Sequence, residues 1–113
     1  MDLSKDNSKA IEDLQVAEHS LQEVLGQKQM FQVEIQEIDN ALKELEDTKD
    51  EVYRILSGIM IRSNKVELIK ELDERKKISN LRIDSIEKQE KILEEKSLKL
   101  RDRLKETLAK DKR

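Results

Sequence analysis

The chain has no cysteine and no proline, only two glycines, and just two aromatic residues, Phe31 and Tyr53. Without cysteine there is no disulfide framework and no thiolate metal site, which suits a reducing cytoplasm. Without proline, no residue forces a break in a long helix. With glycine only at positions 26 and 58 there is no phosphate-cradling loop, which argues against nucleotide use. No run approaches the roughly 18 apolar residues of a membrane span, and the first eight residues lack the apolar core of a signal peptide. A soluble, cytoplasmic protein without a membrane partner is therefore expected. The single histidine, His19, falls on an outer helical face, where a solvated role outweighs a metal or acid–base one. The carboxylates lie on exposed faces with no pocket to shift a pKa. No catalytic residue, cofactor or metal ligand is expected.

What the chain has is charge and a seven-residue rhythm. Of 113 residues, 43% are charged and 35% hydrophobic, the composition of long helices and coiled coils rather than of a compact globule. Ala10, Leu14, Ala17, Leu21, Val24, Lys28, Phe31, Ile35, Ile38, Leu42 and Leu45 recur at alternating steps of four and three, and ten of these eleven are apolar. That spacing keeps one stripe facing a partner helix, the a/d pattern of a coiled coil. A second stripe runs through Ile69, Leu72, Lys76, Ser79, Ile83, Ile86, Glu90, Leu93, Ser97, Leu100, Leu104 and Thr107, with seven of twelve apolar.

Folding the chain back on itself pairs positions whose numbers sum to 114, so that Leu45 meets Ile69, Phe31 meets Ile83, and Ala17 shares a layer with Ser97. The polar breaks Lys28 and Glu90 then lie about one turn apart, close enough to pair. Charge supports the same pairing. Residues 1 to 64 carry 7 Lys/Arg against 14 Asp/Glu, and residues 65 to 113 carry 16 against 12, so an acidic helix beside a basic one favours association within the chain. The predicted fold is mainly α: a long antiparallel two-helix coiled coil joined by a single β-hairpin, one structural unit spanning residues 1–113.

The first helix is predicted over about 8–47, with Asp6, Asn7 and Ser8 as candidate caps and Glu12 and Asp13 complementing its dipole. Gly26, within it, marks tolerated slack or a close contact. The second helix is predicted over 65–110, opened by Asn64 and Glu67 as a variant capping box and reinforced by pairs such as Glu71 with Arg75. Between them, residues 51–63 concentrate β-branched and aromatic side chains around a Ser57–Gly58 turn. This reads as a β-hairpin with strands near 51 to 56 and 59 to 63. Two strands are not stable alone, so they should pair with strands of other subunits. The alternative is a partly helical hydrophobic plug closing the coiled coil.

Val52, Tyr53, Arg54, Leu56, Gly58, Ile59, Met60, Ile61 and Arg62, followed by Asn64, Lys65, Val66, Glu67 and Leu72, resemble the hairpin and second-helix start of prefoldin beta-type subunits, the archaeal form especially. Leu25, Gln27, Lys28 and Gln29 also resemble a run seen midway along that family's first helix. The resemblance covers about residues 8 to 110. One departure concerns the turn: where the family usually has glycine directly after the first strand, this chain has Ser57 with Gly58 one place later.

The resemblance implies a hexamer with alpha-type subunits and further beta-type copies, whose hairpins build intersubunit β-barrels. It implies an ATP-independent chaperone, a holdase, that captures non-native polypeptides at coiled-coil tips and delivers them to a group II chaperonin. Val52, Tyr53, Ile55, Leu56, Ile59, Met60 and Ile61 would then be assembly residues.

At the tips, Ile11, Val16, Leu98 and Leu108 lie off the stripe, and fraying would add Leu14, Leu100 and Leu104 as client-binding residues. Single exposed apolar side chains on a helix are also normal and need carry no role. Leu25, Met30 and Val33, also off the stripe, read as inner lining or as nothing in particular. The basic end, with 8 Lys/Arg against 3 Asp/Glu in residues 96–113, reads as a solvated helix terminus or as a surface for acidic partners. Nucleic acid is not an expected partner, because the chain is net acidic and has no aromatic residue near that end. The competing functional reading is a structural or adaptor coiled coil that binds no unfolded client.

Overall fold

Long proline-free stretches of Leu, Glu, Lys and Gln form two helices, and the one β-rich stretch between them forms two strands. The computed structural model describes residues 3–111, with side chains from residue 7 to residue 110. The order is α1 (Leu3–Asp47), β1 (Val52–Leu56), β2 (Ile59–Ser63) and α2 (Lys65–Asp111). The strands pair antiparallel, from Val52 opposite Ser63 to Leu56 opposite Ile59.

Helix α1 begins at Leu3, earlier than the expected start near Ser8. Asp6, Asn7 and Ser8 are therefore inside the helix rather than at its cap, and Glu12 and Asp13 lie beyond its first turn. No proline or glycine interrupts residues 3 to 8, so the helix propagates through residues that would also serve as caps. At its other end α1 stops at Asp47, as expected, but no basic residue sits in its last turn. The cation comes from across the hairpin instead: Lys65 Nζ donates to the carbonyls of Glu46 (3.2 Å) and Thr48 (3.3 Å). These are the carbonyls a helix C-terminus leaves unpaired, and positive charge is favoured there. Helix α2 opens on Asn64, whose Oδ1 accepts the Val66 N–H at 2.8 Å and whose carbonyl accepts the Leu68 N–H at 3.0 Å.

The packing falls into two units, one made by α1 up to Lys28 with α2 from Ser85, the other by residues 29–84. In the first, Ala10, Ala17, Val24, Ile86 and Ser97 are buried; in the second, Ile38 and Ser79 are. Every position of both predicted stripes is buried or half-buried, so the seven-residue pattern marks the seam along both helices. Glu18 pairs with Arg101 and Lys28 with Glu90 in the first unit. In the second, Glu34 pairs with Arg75 at 3.0 Å and Asp39 with Lys76 at 2.7 Å, and Arg82 lies over the Phe31 ring. Three of these four cross-helix ion pairs put the acid on α1 and the base on α2, the charge division read from the sequence. Glu71 and Arg75 do not pair with each other along α2 as expected; each turns to a partner on another element, Arg54 and Glu34. A cross-element partner already held in place competes well with a surface pair worth a few tenths of a kcal/mol.

Two details of the helices set stability. A Cβ added to Gly26 meets nothing within 4 Å, so this glycine serves no close contact and its cost is conformational. Gly26→Ala should therefore raise stability by about 1 kcal/mol, read as a shift in the denaturant midpoint of the helical circular-dichroism signal. The Ser97 hydroxyl is buried and has no hydrogen-bond partner, so Ser97→Ala should also stabilise, by roughly 1 kcal/mol, in the same measurement.

Candidate functional site

The hairpin is set by its turn. Ser57 (φ 52°) and Gly58 (φ 79°) both adopt left-handed backbone, the requirement of a two-residue type I′ turn, whose twist matches that of the flanking strands. Serine pays for this conformation where glycine does not, which locates the cost of the departure at position 57. Cross-strand partners share a face. Tyr53 with Arg62 and Ile55 with Met60 lie on one side; Val52 with Ser63, Arg54 with Ile61, and Leu56 with Ile59 lie on the other.

Ion pairs hold this sheet to its surroundings. Arg54 Nη2 reaches Glu71 of α2 at 2.8 Å. Glu51, just before β1, accepts the Tyr53 hydroxyl at 2.7 Å and Arg62 Nη2 at 2.6 Å. The Glu51 carboxylate holds the Tyr53 phenol above the usual tyrosine range, chiefly because that hydrogen bond needs the protonated phenol.

Of the seven expected assembly residues, only Val52 is half-buried. Tyr53, Ile55, Leu56, Ile59, Met60 and Ile61 are exposed, Ile55 to 71% and Met60 to 65%. Among the described residues, neither outer edge of the two-stranded sheet has a neighbouring strand. Beside β1 lies an open groove of about 500 Å³, floored by Ala41, Leu45, Leu68 and Leu72 and rimmed by Glu44, Glu71 and Arg75. Four consecutive β1 residues, Val52 to Ile55, border it, so the strand presents its edge to the groove rather than one face.

At the end distant in sequence from the hairpin, Ile11, Val16, Leu98 and Leu108 are exposed, while Leu14, Leu100 and Leu104 are half-buried in the seam. The Glu18–Arg101 pair marks one side of the helix pair, and one heptad nearer the termini the equivalent positions hold Ile11 and Leu108. Leu98, three residues before Arg101, flanks that side. Val16 occupies the opposite side, so three of the four exposed residues share a side. His19 is exposed and 3.2 Å from Glu23 on its own helix.

Four exposed apolar side chains escaped the sequence reading: Val66, Ile78, Leu81 and Ile92. Extending the off-stripe search along α2 would have found them, since Ile78, Leu81 and Ile92 fall between stripe positions and Val66 just precedes the first. Among the described residues no cluster of His, Asp and Glu has the makings of a metal site, and no helix is long and apolar enough to cross a membrane.

Residues 8–111 match the family model described as prefoldin subunit. This chain belongs to the prefoldin subunit family. Its relatives include prefoldin subunit beta of Caldivirga maquilingensis, 32% identical over 103 residues, covering 88% of this chain and 84% of the relative. Prefoldin subunit beta of Methanospirillum hungatei JF-1 is 36% identical over 93 residues, covering 80% and 78%. Among solved structures, the crystal structure of the prefoldin beta subunit from Thermococcus strain KS-1 superposes with a TM-score of 0.83 at 28% identity, covering 91% of this chain and 92% of that one. Membership of a prefoldin family makes this a chaperone-family coiled-coil protein, with the helix, hairpin, helix order of the beta type.

Tyr53 is the only tyrosine and there is no tryptophan, so ultraviolet titration reports the hairpin alone. Its raised pKa means the phenol–carboxylate bond adds stability at pH below the unfolded tyrosine value and loses it as pH climbs through the folded one. The tyrosinate absorbance midpoint should lie above that of a free tyrosine and fall back towards it in Glu51→Ala; an identical midpoint in both proteins would exclude the contact in solution.

Proposed function

We propose that this chain is a non-catalytic, beta-type prefoldin subunit that works as a single domain in the cytoplasm. It assembles with alpha-type subunits and further beta-type copies and holds non-native polypeptides without ATP for delivery to a group II chaperonin. The observation that carries the reading is the hairpin: a two-stranded sheet with both outer edges unpaired and six exposed apolar or aromatic side chains. Two strands in water are marginal alone, and such edges invite further strands. Val52, Tyr53, Ile55, Leu56, Ile59, Met60 and Ile61 are assigned to assembly. The similarity to beta subunits over nearly the whole chain supports the same assignment.

Client capture is assigned to the unit formed by the first part of α1 and the last part of α2, to Ile11, Leu98 and Leu108 on one side and Val16 on the other. Leu14, Leu100 and Leu104 would join when the last turns open. Each such contact is weak, and several arms acting together multiply it through avidity.

Replacing Ile11, Val16, Leu98 and Leu108 with Ser tests the assignment in the complex assembled with alpha-type subunits. Protection of a denatured test protein from aggregation should fall severalfold while the native mass of the complex is unchanged. Undiminished protection would remove these residues from the role. A wild-type complex that protects nothing would leave the adaptor reading in its place.

A further inference from the structure

The α1 seam contains a single charged residue, Lys28, and the α2 seam contains Lys76 and Glu90. Lys28 Nζ lies 3.2 Å from Glu90 Oε2, with the two side chains only 23% and 16% exposed, beside the buried Val24 and Ile86. It is the most buried of the ion pairs between described residues and reverses the polarity of the rest. Elsewhere acid on α1 meets base on α2, as at Asp39 and Lys76, whereas here the base is on α1. Burying such a pair seldom adds net stability, because desolvation offsets the attraction. A polar residue at one seam position does reject other pairings, at a cost in stability.

We infer that Lys28 and Glu90 form a pairing address that fixes the register in which α1 accepts the antiparallel α2 and makes α1 refuse a parallel copy of itself. A slip of one heptad sets Lys28 against Ile83 or Ser97 and Glu90 against Leu21 or Ile35; Lys28 finds a new acid, Glu94, in one direction only, whereas Glu90 is left in the seam without a basic partner in both. In-register parallel pairing of two α1 copies sets Lys28 against Lys28, and of two α2 copies Glu90 against Glu90. The device matters to any protein whose copies bring several such helices close together, and it does not depend on client binding.

The parent has no cysteine, so introduced thiols report pairing cleanly in the full-length chain. Three reporters suffice: Ala17→Cys with Ser97→Cys for the native register, Ala17→Cys with Leu104→Cys for a one-heptad slip, and Ala17→Cys alone for association between copies. In the parent background the first should close within the chain on mild oxidation, and the other two should give little product by gel and peptide mapping. Lys28→Leu with Glu90→Leu should keep its helical signal and melt no lower than the parent, yet give severalfold more slipped and interchain product. Lys28→Glu alone should melt lower than the parent and give severalfold more slipped product, with interchain yield near the parent level because a parallel pair still sets like charges together, and Lys28→Glu with Glu90→Lys should restore the parent pattern. Slipped and interchain yields at the parent level in the folded Leu/Leu variant overturn the proposal. If that variant unfolds, a reversed pair that folds but cross-links no more selectively than Lys28→Glu alone overturns it as well.

Discussion

The structure depends on burying one narrow stripe on each helix, in a chain with little apolar material to spare. Among the described residues five hydrophobic side chains are buried, three of them the small or short Ala10, Ala17 and Val24. The larger seam residues, such as Leu21, Phe31 and Leu93, are half-buried, because a helix with one neighbour can shield only one side of a long side chain. Hydrophobic burial is proportional to area removed from water, so stability is spread thinly along the seam rather than concentrated in a core. Ala10, Ala17, Ser79 and Ser97 are among the buried seam residues, and cross-helix ion pairs flank the seam.

That thin margin explains the attention given to the helix ends near the hairpin. Lys65 supplies the charge that α1 lacks at its own C-terminus, Asn64 caps α2, and Arg54 ties the first strand to Glu71. These contacts orient a sheet too small to stabilise itself. The type I′ turn adds the matching twist. The result is a hairpin that is well placed and still incomplete, with apolar side chains and strand edges facing outward.

Much of this was readable from residue order. Period and composition located all twenty-three seam positions of the two stripes, and the change to β-branched residues located the strands almost to the residue. The turn was readable as Ser57–Gly58, though not its two positive φ angles. The start of α1 was misplaced because Asp6, Asn7 and Ser8 serve equally as caps or as ordinary helical residues. The partners of Glu71 and Arg75 were misassigned because a one-dimensional pattern sees only i,i+4 neighbours. The side shared by Ile11, Leu98 and Leu108, opposite Val16, became visible only once Glu18 and Arg101 fixed how the two helices face each other.

By itself the sequence determined which residues each helix turns inward, since a repeat of 3.5 residues dictates one stripe whatever the partner. It also determined where helix gives way to strand, since local backbone preference decides that. Only the tertiary structure decided which charges meet, which helix end borrows its cap from another element, and which exposed side chains share a surface. Those outcomes depend on distances between segments far apart in the chain, which no local preference encodes.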